Sequence, residues 1–205
     1  MEGSMEHYGN FFETVYKDAG DQYSNVPWAR LHPNPELVEW VRLNNPRSGL
    51  RAAVVGCGLG DDAEFLQKVG FETVAFDIST EALAAARKRF PDSRVDYRLV
   101  NLFELDAEML EAFDFVYEAY TLQSLPNQSR PAAIDATASL LRPGGEMLLL
   151  CLANLENIPN PPGPPHPVRK RELDRLLDFG FEERTCDLYR SDKGEEFRIC
   201  YRRVS

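Results

Sequence analysis

The densest group of residues able to do chemistry is Val54-Val55-Gly56-Cys57-Gly58-Leu59-Gly60-Asp61-Asp62, which follows a short apolar run and opens an amphipathic one. Glycines at such a junction allow a tight turn and let a ligand approach the backbone, while free N–H groups at a helix start favour an electronegative ligand group. Asp77 ends the next apolar run, 21 residues after Gly56. A carboxylate there can accept both hydroxyls of a ribose. Taken singly, the loop could be a bare strand-to-helix turn and Asp77 a strand-end cap. Together, at this spacing, they point to a cofactor that contains a nucleoside.

Spacing also narrows the cofactor. A dinucleotide fingerprint is G-x-G-x-x-G, with pyrophosphate over the helix. Here the glycines stand at 56, 58 and 60, and Asp61 occupies the place of the third glycine. Two carboxylates, Asp61 and Asp62, in a first helical turn would repel a pyrophosphate. A cofactor with a cationic or zwitterionic end suffers less, and S-adenosylmethionine has a ribose, an adenine, a sulfonium and an amino-acid tail. Two other function classes compete: a nucleotide-dependent oxidoreductase, disfavoured by the same glycine spacing, and a non-catalytic scaffold.

The elements that must position these residues follow from periodicity. From Arg51 onward, short apolar runs alternate with longer amphipathic ones, the pattern of an α/β domain with a parallel sheet covered on both faces. Strands are expected at about 51–56, 72–77, 95–100, 113–118, 145–152, 181–189 and 195–203, with helices at about 61–69, 80–90, 129–142 and 169–178. Ser191-Asp192-Lys193-Gly194 joins the last two strands as a hairpin, so one strand must run antiparallel. Residues before 50 supply two helical stretches, about Tyr8 to Asp18 and Pro35 to Asn44, as an N-terminal cover. Ile158 to Pro167 carries prolines at 159, 161, 162, 164, 165 and 167. Such a stretch suits a partner's aromatic groove or a stiff crossover loop, and its place inside the domain favours the loop.

Composition removes several function classes. The chain has 205 residues, enough for one ordinary domain, and Asp+Glu 33 against Lys+Arg 23 gives a net charge of -10. That balance opposes binding to a nucleic-acid backbone or to an anionic membrane surface. The longest apolar run, Met147 to Ala153, is far short of the ~18–20 residues a bilayer needs. The opening residues lack the cationic, apolar design of a secretory signal, so the expectation is a cytoplasmic protein, a monomer or weak dimer. Cys57, Cys151, Cys186 and Cys200 form no C-x-x-C pair, and His7, His32 and His166 are scattered. Reduced thiols and no structural metal are expected.

With the glycine loop and Asp77, the sequence resembles the class I S-adenosylmethionine-dependent methyltransferases along nearly its whole length. The resemblance includes Asn101-Leu102-Phe103 after the third strand, Phe113 to Tyr120 in and after the fourth, and Leu141-Arg142-Pro143-Gly144-Gly145 before an apolar fifth strand. It implies a doubly wound, Rossmann-like, mostly parallel seven-stranded sheet of order 3-2-1-4-5-7-6 with the last strand antiparallel, in a single domain. Residues 1–48 would form a cover over the cofactor and 49–205 the α/β core.

A narrower resemblance lies in Phe11-Phe12-Glu13-Thr14-Val15-Tyr16, Val26-Pro27-Trp28 and Pro33-Asn34-Pro35-Glu36-Leu37-Val38, which look like the cofactor-covering segment of the thiopurine, halide/thiol and tellurite-resistance methyltransferases. The chain departs from that group in having Phe12 and Tyr16 where tryptophans are usual, and Arg30 where Asp is common. The resemblance implies cofactor contacts from Trp28, from Gly56, Cys57, Gly58 and Gly60, and from Asp62. It adds Asp77 with its neighbour Ile78, Asn101 with Leu102, and Glu118. A flat aromatic face such as Trp28 suits a sulfonium or an adenine, while core packing of the cover is its alternative role. Asn101 could equally be a turn residue, and Cys57 reads as a small buried thiol. His32 and His166 read as surface or loop histidines.

The implied activity is methyl transfer to a small-molecule acceptor, with sulfur of a thiol or thiopurine-like compound as the first reading and oxygen or nitrogen as the alternative. A soft anion needs no general base. For a hydroxyl or amine acceptor, Tyr120, Glu118 and His166 are the catalytic candidates.

Overall fold

The computed structural model describes residues 2–204, with side chains from Gly9 onward, so the side chain of His7 lies outside the described residues. Seven strands, β1 (Arg51–Val55), β2 (Glu72–Asp77), β3 (Asp96–Leu99), β4 (Phe113–Ala119), β5 (Leu141–Leu152), β6 (Phe181–Ser191) and β7 (Gly194–Arg203), form one sheet in the order β3-β2-β1-β4-β5-β7-β6. That is the expected topology. The chain divides into two units, Met1–Asn101 and Leu102–Ser205.

In the first unit β1, β2 and β3 pair in parallel. Ala52 to Val55 and Val74 to Phe76 are all buried, which accounts for their near-continuous apolar runs. Four helices accompany them: α1 (Glu2–Ala19), α2 (Pro35–Asn44), α3 (Asp61–Lys68) and α4 (Thr80–Arg89). α3 packs on β1 and β2, α4 on β2 and β3, and α1 on α4. Local chemistry sets the helix starts. Asn34 caps α2 by accepting the Glu36 N–H at 3.0 Å, with Pro35 as the first helical residue. Ser79 caps α4 by accepting the Ala82 N–H at 3.0 Å.

In the second unit β4 and β5 are parallel, and β7 runs antiparallel to both β5 and β6. The hairpin closes with Ser191 opposite Gly194, as the sequence indicated. Its helices are α5 (Thr121–Ser124), α6 (Arg130–Leu140), α7 (Lys170–Leu173) and α8 (Arg175–Asp178). Two expectations need correction. α6 stops at Leu140 because Leu141 already pairs with Phe113, so the pairing between β4 and β5 shifts register across the Arg142–Gly145 segment. The helix expected at 169–178 is two short ones, because backbone bonds there run mostly three residues back, as in Leu177 N–H to the Asp174 carbonyl at 3.0 Å.

Candidate functional site

In the first unit, the chain leaves β1 through Gly56, Gly58 and Gly60, all with positive φ. At Gly58 (φ 50°) a Cβ would stand 2.8 Å from the Tyr16 hydroxyl, and at Gly60 (φ 86°) it would collide with the Tyr97 hydroxyl. Any side chain at these two positions would be strained and crowded. Asp77 closes β2 directly against this loop. Its Oδ2 accepts the Gly58 N–H and its Oδ1 the Ser79 N–H, each at 2.9 Å. Burial pushes its pKa up, offset in part by the backbone hydrogen bonds. With the Ile78 N–H also bonded to it, the carboxylate, which has about four acceptor sites, keeps capacity for a further donor.

The aromatics of the N-terminal segment gather over the loop. Trp28 Nε1 donates to the Tyr16 hydroxyl at 2.8 Å, and the Trp28 ring meets Phe12 and Tyr16 edge-on at centroid distances of 5.6 and 5.7 Å. Tyr16 is buried, and that burial, with the Asp77 charge, raises its pKa. A contact the sequence did not reveal holds this cover in place. Glu13 Oε2 accepts the Ser79 hydroxyl at 2.6 Å and the Glu81 N–H at 3.2 Å, placing a carboxylate at the N-terminus of α4.

The two carboxylates opening α3 have partners of their own. Asp61 forms a two-pronged pair with Arg89, both distances 2.7 Å, and Arg89 also donates to the Leu59 carbonyl at 2.7 Å. The expectation that Asp61 lends its charge to a cationic cofactor is therefore corrected: a guanidinium already neutralises it. Asp62 Oδ1 accepts the Asn34 N–H at 2.6 Å and ties the entry of α2 to α3. The Cys57 thiol is half-buried, with its pKa raised by burial and by the Asp77 charge. Ile78 is exposed beside the position where a Gly9 Cβ would stand. Asn101 is half-buried at the end of this unit.

In the second unit Leu102 is buried, and Glu118, the sixth residue of β4, has no solvent exposure at all. Its Oε1 accepts the Leu122 N–H at 2.9 Å, while its Oε2 has no partner of hydrogen-bonding geometry. Burial pushes its pKa up to about 7, against the lowering effects of the Leu122 and Thr121 groups and of Arg130. Tyr120 follows β4 with φ 69°, and its hydroxyl donates to Glu196 Oε2 at 2.7 Å. His166 lies in a loop, as read, but it is buried rather than at the surface, which corrects the surface half of that reading. Its N–H donates to the Gln123 carbonyl at 2.6 Å and its carbonyl accepts from Arg130 Nη2 at 2.8 Å. Burial and the Arg130 charge lower its pKa, and its Nε2 has no hydrogen-bond partner. His32 is exposed. Arg130, almost wholly buried, was missed because its partners lie at Leu122, His166 and Glu172, beyond any local pattern.

Among the described residues, no helix is long and apolar enough to cross a membrane. The profile of one protein family, thiopurine S-methyltransferase, matches residues 21–198. A ubiquinone biosynthesis O-methyltransferase of Xanthomonas axonopodis pv. citri is 36% identical over 129 residues, covering 62% of this chain and 53% of that protein. The chain spans about half the length of the curated relatives it matches. Among solved structures, one from work on the conversion of a disulfide bond into a thioacetal group during echinomycin biosynthesis superposes with a TM-score of 0.76 at 18% identity, over 95% of this chain and 91% of that one. The Burkholderia thailandensis 1,6-didemethyltoxoflavin-N1-methyltransferase, bound to S-adenosylhomocysteine, gives 0.72 at 18% identity over 96% and 87%. At such identities these structures speak for the fold.

Proposed function

Because the chain belongs to the thiopurine S-methyltransferase family, through a match that spans residues 21–198, we propose that it binds S-adenosylmethionine and directs methyl transfer to a small-molecule acceptor. The observation that carries this reading is the glycine loop locked to Asp77, with Gly58 and Gly60 in conformations and clearances that only glycine meets. The donor set suits the cofactor. Gly56 is exposed and Cys57 half-buried where the chain leaves β1 for α3, Asp77 keeps acceptor capacity for ribose hydroxyls, and Tyr16 and Trp28 supply aromatic faces. Contacts from Cys57, Asp62, Ile78, Asn101, Leu102 and Glu118 belong to the same proposal. For Glu118 the support is a buried, partnerless Oε2 that a ligand N–H or ammonium group would satisfy.

The sulfonium supplies an electrophilic methyl carbon and a neutral thioether leaving group. The residues of the chain then have to hold the reactants in line and exclude water, which is worth up to ~7–11 kcal/mol. The acceptor atom has two readings. The family description supports sulfur, for which an ionised thiol needs no base. The curated relatives' name supports oxygen, and so does the presence of Glu118, Tyr120 and the neutral His166 as protonatable groups in the second unit.

Thermal denaturation with S-adenosylhomocysteine tests the cofactor assignment. At ~100 times Kd the native state gains ~2.7 kcal/mol, and Asp77→Ala should abolish most of that gain. No shift at millimolar ligand would refute the reading. Release of S-adenosylhomocysteine across a panel of thiols, thiopurines, phenols and amines identifies the acceptor class.

A further inference from the structure

The proline-rich loop after β5 has a single buried side chain. Among the described residues from Leu155 to Pro167, all are exposed or half-buried except His166, which is buried. A histidine in that place carries two ring nitrogens that need partners once water is excluded. Its Nε2 is buried and has none. Burial first, and then the Arg130 charge, lower the pKa of this ring, so at neutral pH it keeps a nitrogen lone pair.

A buried cation holds the peptide that carries this ring. The His166 N–H donates to the Gln123 carbonyl of α5 at 2.6 Å, and the His166 carbonyl accepts from Arg130 Nη2 at 2.8 Å. Arg130, the first residue of α6 and almost wholly buried, also donates through Nε to the Leu122 carbonyl of α5 at 3.2 Å and pairs through Nη1 with Glu172 of α7. Glu172 accepts in turn from Arg169 Nη1 at 3.2 Å, and Arg169 Nη2 donates to the Ile158 carbonyl at 3.2 Å. The loop is thus pinned at Ile158 and at His166 by two guanidinium groups that share one carboxylate. Because α5 begins just past β4, Arg130 ties His166 to the carboxyl end of that strand, where ligands of open α/β sheets gather. A buried ion pair adds little net stability, since desolvation offsets the attraction. What the planar guanidinium supplies is geometry: its fork fixes the Leu122 and His166 carbonyls relative to each other, which the point charge of a lysine cannot do.

We propose that Arg130 is a positioning residue for methyl transfer: by holding the His166 peptide against α5 it sets the place of the His166 ring, and the ring, not Arg130, touches the acceptor. This rests on the methyl-transfer reading and on His166 as one of its acceptor contacts. The partnerless Nε2 is the atom that a polar group of the acceptor satisfies. Arg130 takes no part in bond making and acts through His166.

The test treats the wild type, Arg130→Lys and the double variant Arg130→Met/Glu172→Gln with diethyl pyrocarbonate, which acylates accessible neutral imidazoles, and reads each histidine by peptide mass spectrometry. Arg130→Lys keeps the charge beside Glu172, and the double variant removes the buried charge together with its carboxylate partner. A cooperative urea transition shows that each variant folds, and the exposed His32 is the internal reference. Losing one charge-assisted hydrogen bond to the His166 carbonyl should raise the His166-to-His32 labelling ratio ~10-fold or more in both variants. Turnover of thiophenol and of catechol, followed by S-adenosylhomocysteine release, should fall ~10-fold with Arg130→Lys alone and should not change with it in a His166→Phe background, where no ring nitrogen is left to place. A labelling ratio unchanged in both variants would overturn the positioning role. So would an Arg130→Lys loss of equal size in both backgrounds, which is the mark of bracing alone. A wild type that binds no S-adenosylhomocysteine in calorimetry would overturn the methyl-transfer reading, with the labelling ratio still deciding whether Arg130 places His166.

Discussion

Replacing Glu118 with glutamine tests the electrostatics of the second unit directly. Glu118 is wholly buried, one of its oxygens has no partner, and its pKa stands at about 7 against an ordinary 4.5. The folded protein therefore keeps this proton over a range in which the unfolded chain releases it. Stability from this group is greatest below pH 4.5, falls as pH rises to 7, and is level above that. At ~1.4 kcal/mol per pH unit, the fall is about 3 kcal/mol, or ~6–12 °C in Tm for a chain of this size. Glutamine keeps an oxygen for the Leu122 N–H and cannot ionise. The measurement is the Tm of Glu118→Gln minus that of the wild type, taken every half pH unit from 4.5 to 8, where background titrations cancel. The difference should climb with pH between about 4.5 and 7 and then flatten. A constant difference, or one that falls with pH, would show that Glu118 is solvated or paired in the folded protein and would refute the account of its burial.

Substitutions at three further positions probe the first unit. Gly60→Ala should cost ~1–3 kcal/mol in urea unfolding, because φ 86° is unfavourable for alanine and the Tyr97 hydroxyl occupies the Cβ position. Arg89→Ala should cost ~1–3 kcal/mol by leaving Asp61 and the Leu59 carbonyl unpaired, and Arg89→Lys should recover less than half of that, since the two-pronged geometry is lost. Tyr16→Phe should cost ~1 kcal/mol by stranding the Trp28 N–H, and it should weaken S-adenosylhomocysteine binding in calorimetry.

The strands were readable because buried parallel strands are written as apolar runs, and β2 ends at Asp77 as expected. The glycine loop was readable because backbone conformation there restricts residue type. What stayed hidden depended on distance in sequence. Arg89 reaches Asp61 across 28 residues and Tyr120 reaches Glu196 across 76, so no local pattern announces either pair. Two readings, Asp61 as part of a field for a cation and His166 as a surface side chain, failed for the same reason: partners brought in by the fold decided the charge of the first and the burial of the second. The break at Asp174 and the short α5 went unseen because single helical turns carry too little periodicity.

The Trp28–Tyr16 hydrogen bond also makes the chain its own optical instrument. Of its two tryptophans, Trp40 is buried in α2 and Trp28 is half-buried beside the glycine loop. With Trp40 changed to phenylalanine, one emitter would remain, sitting on the segment that covers the loop. Its wavelength and quenching would follow that segment in real time, so cofactor entry could be timed by rapid mixing without any label.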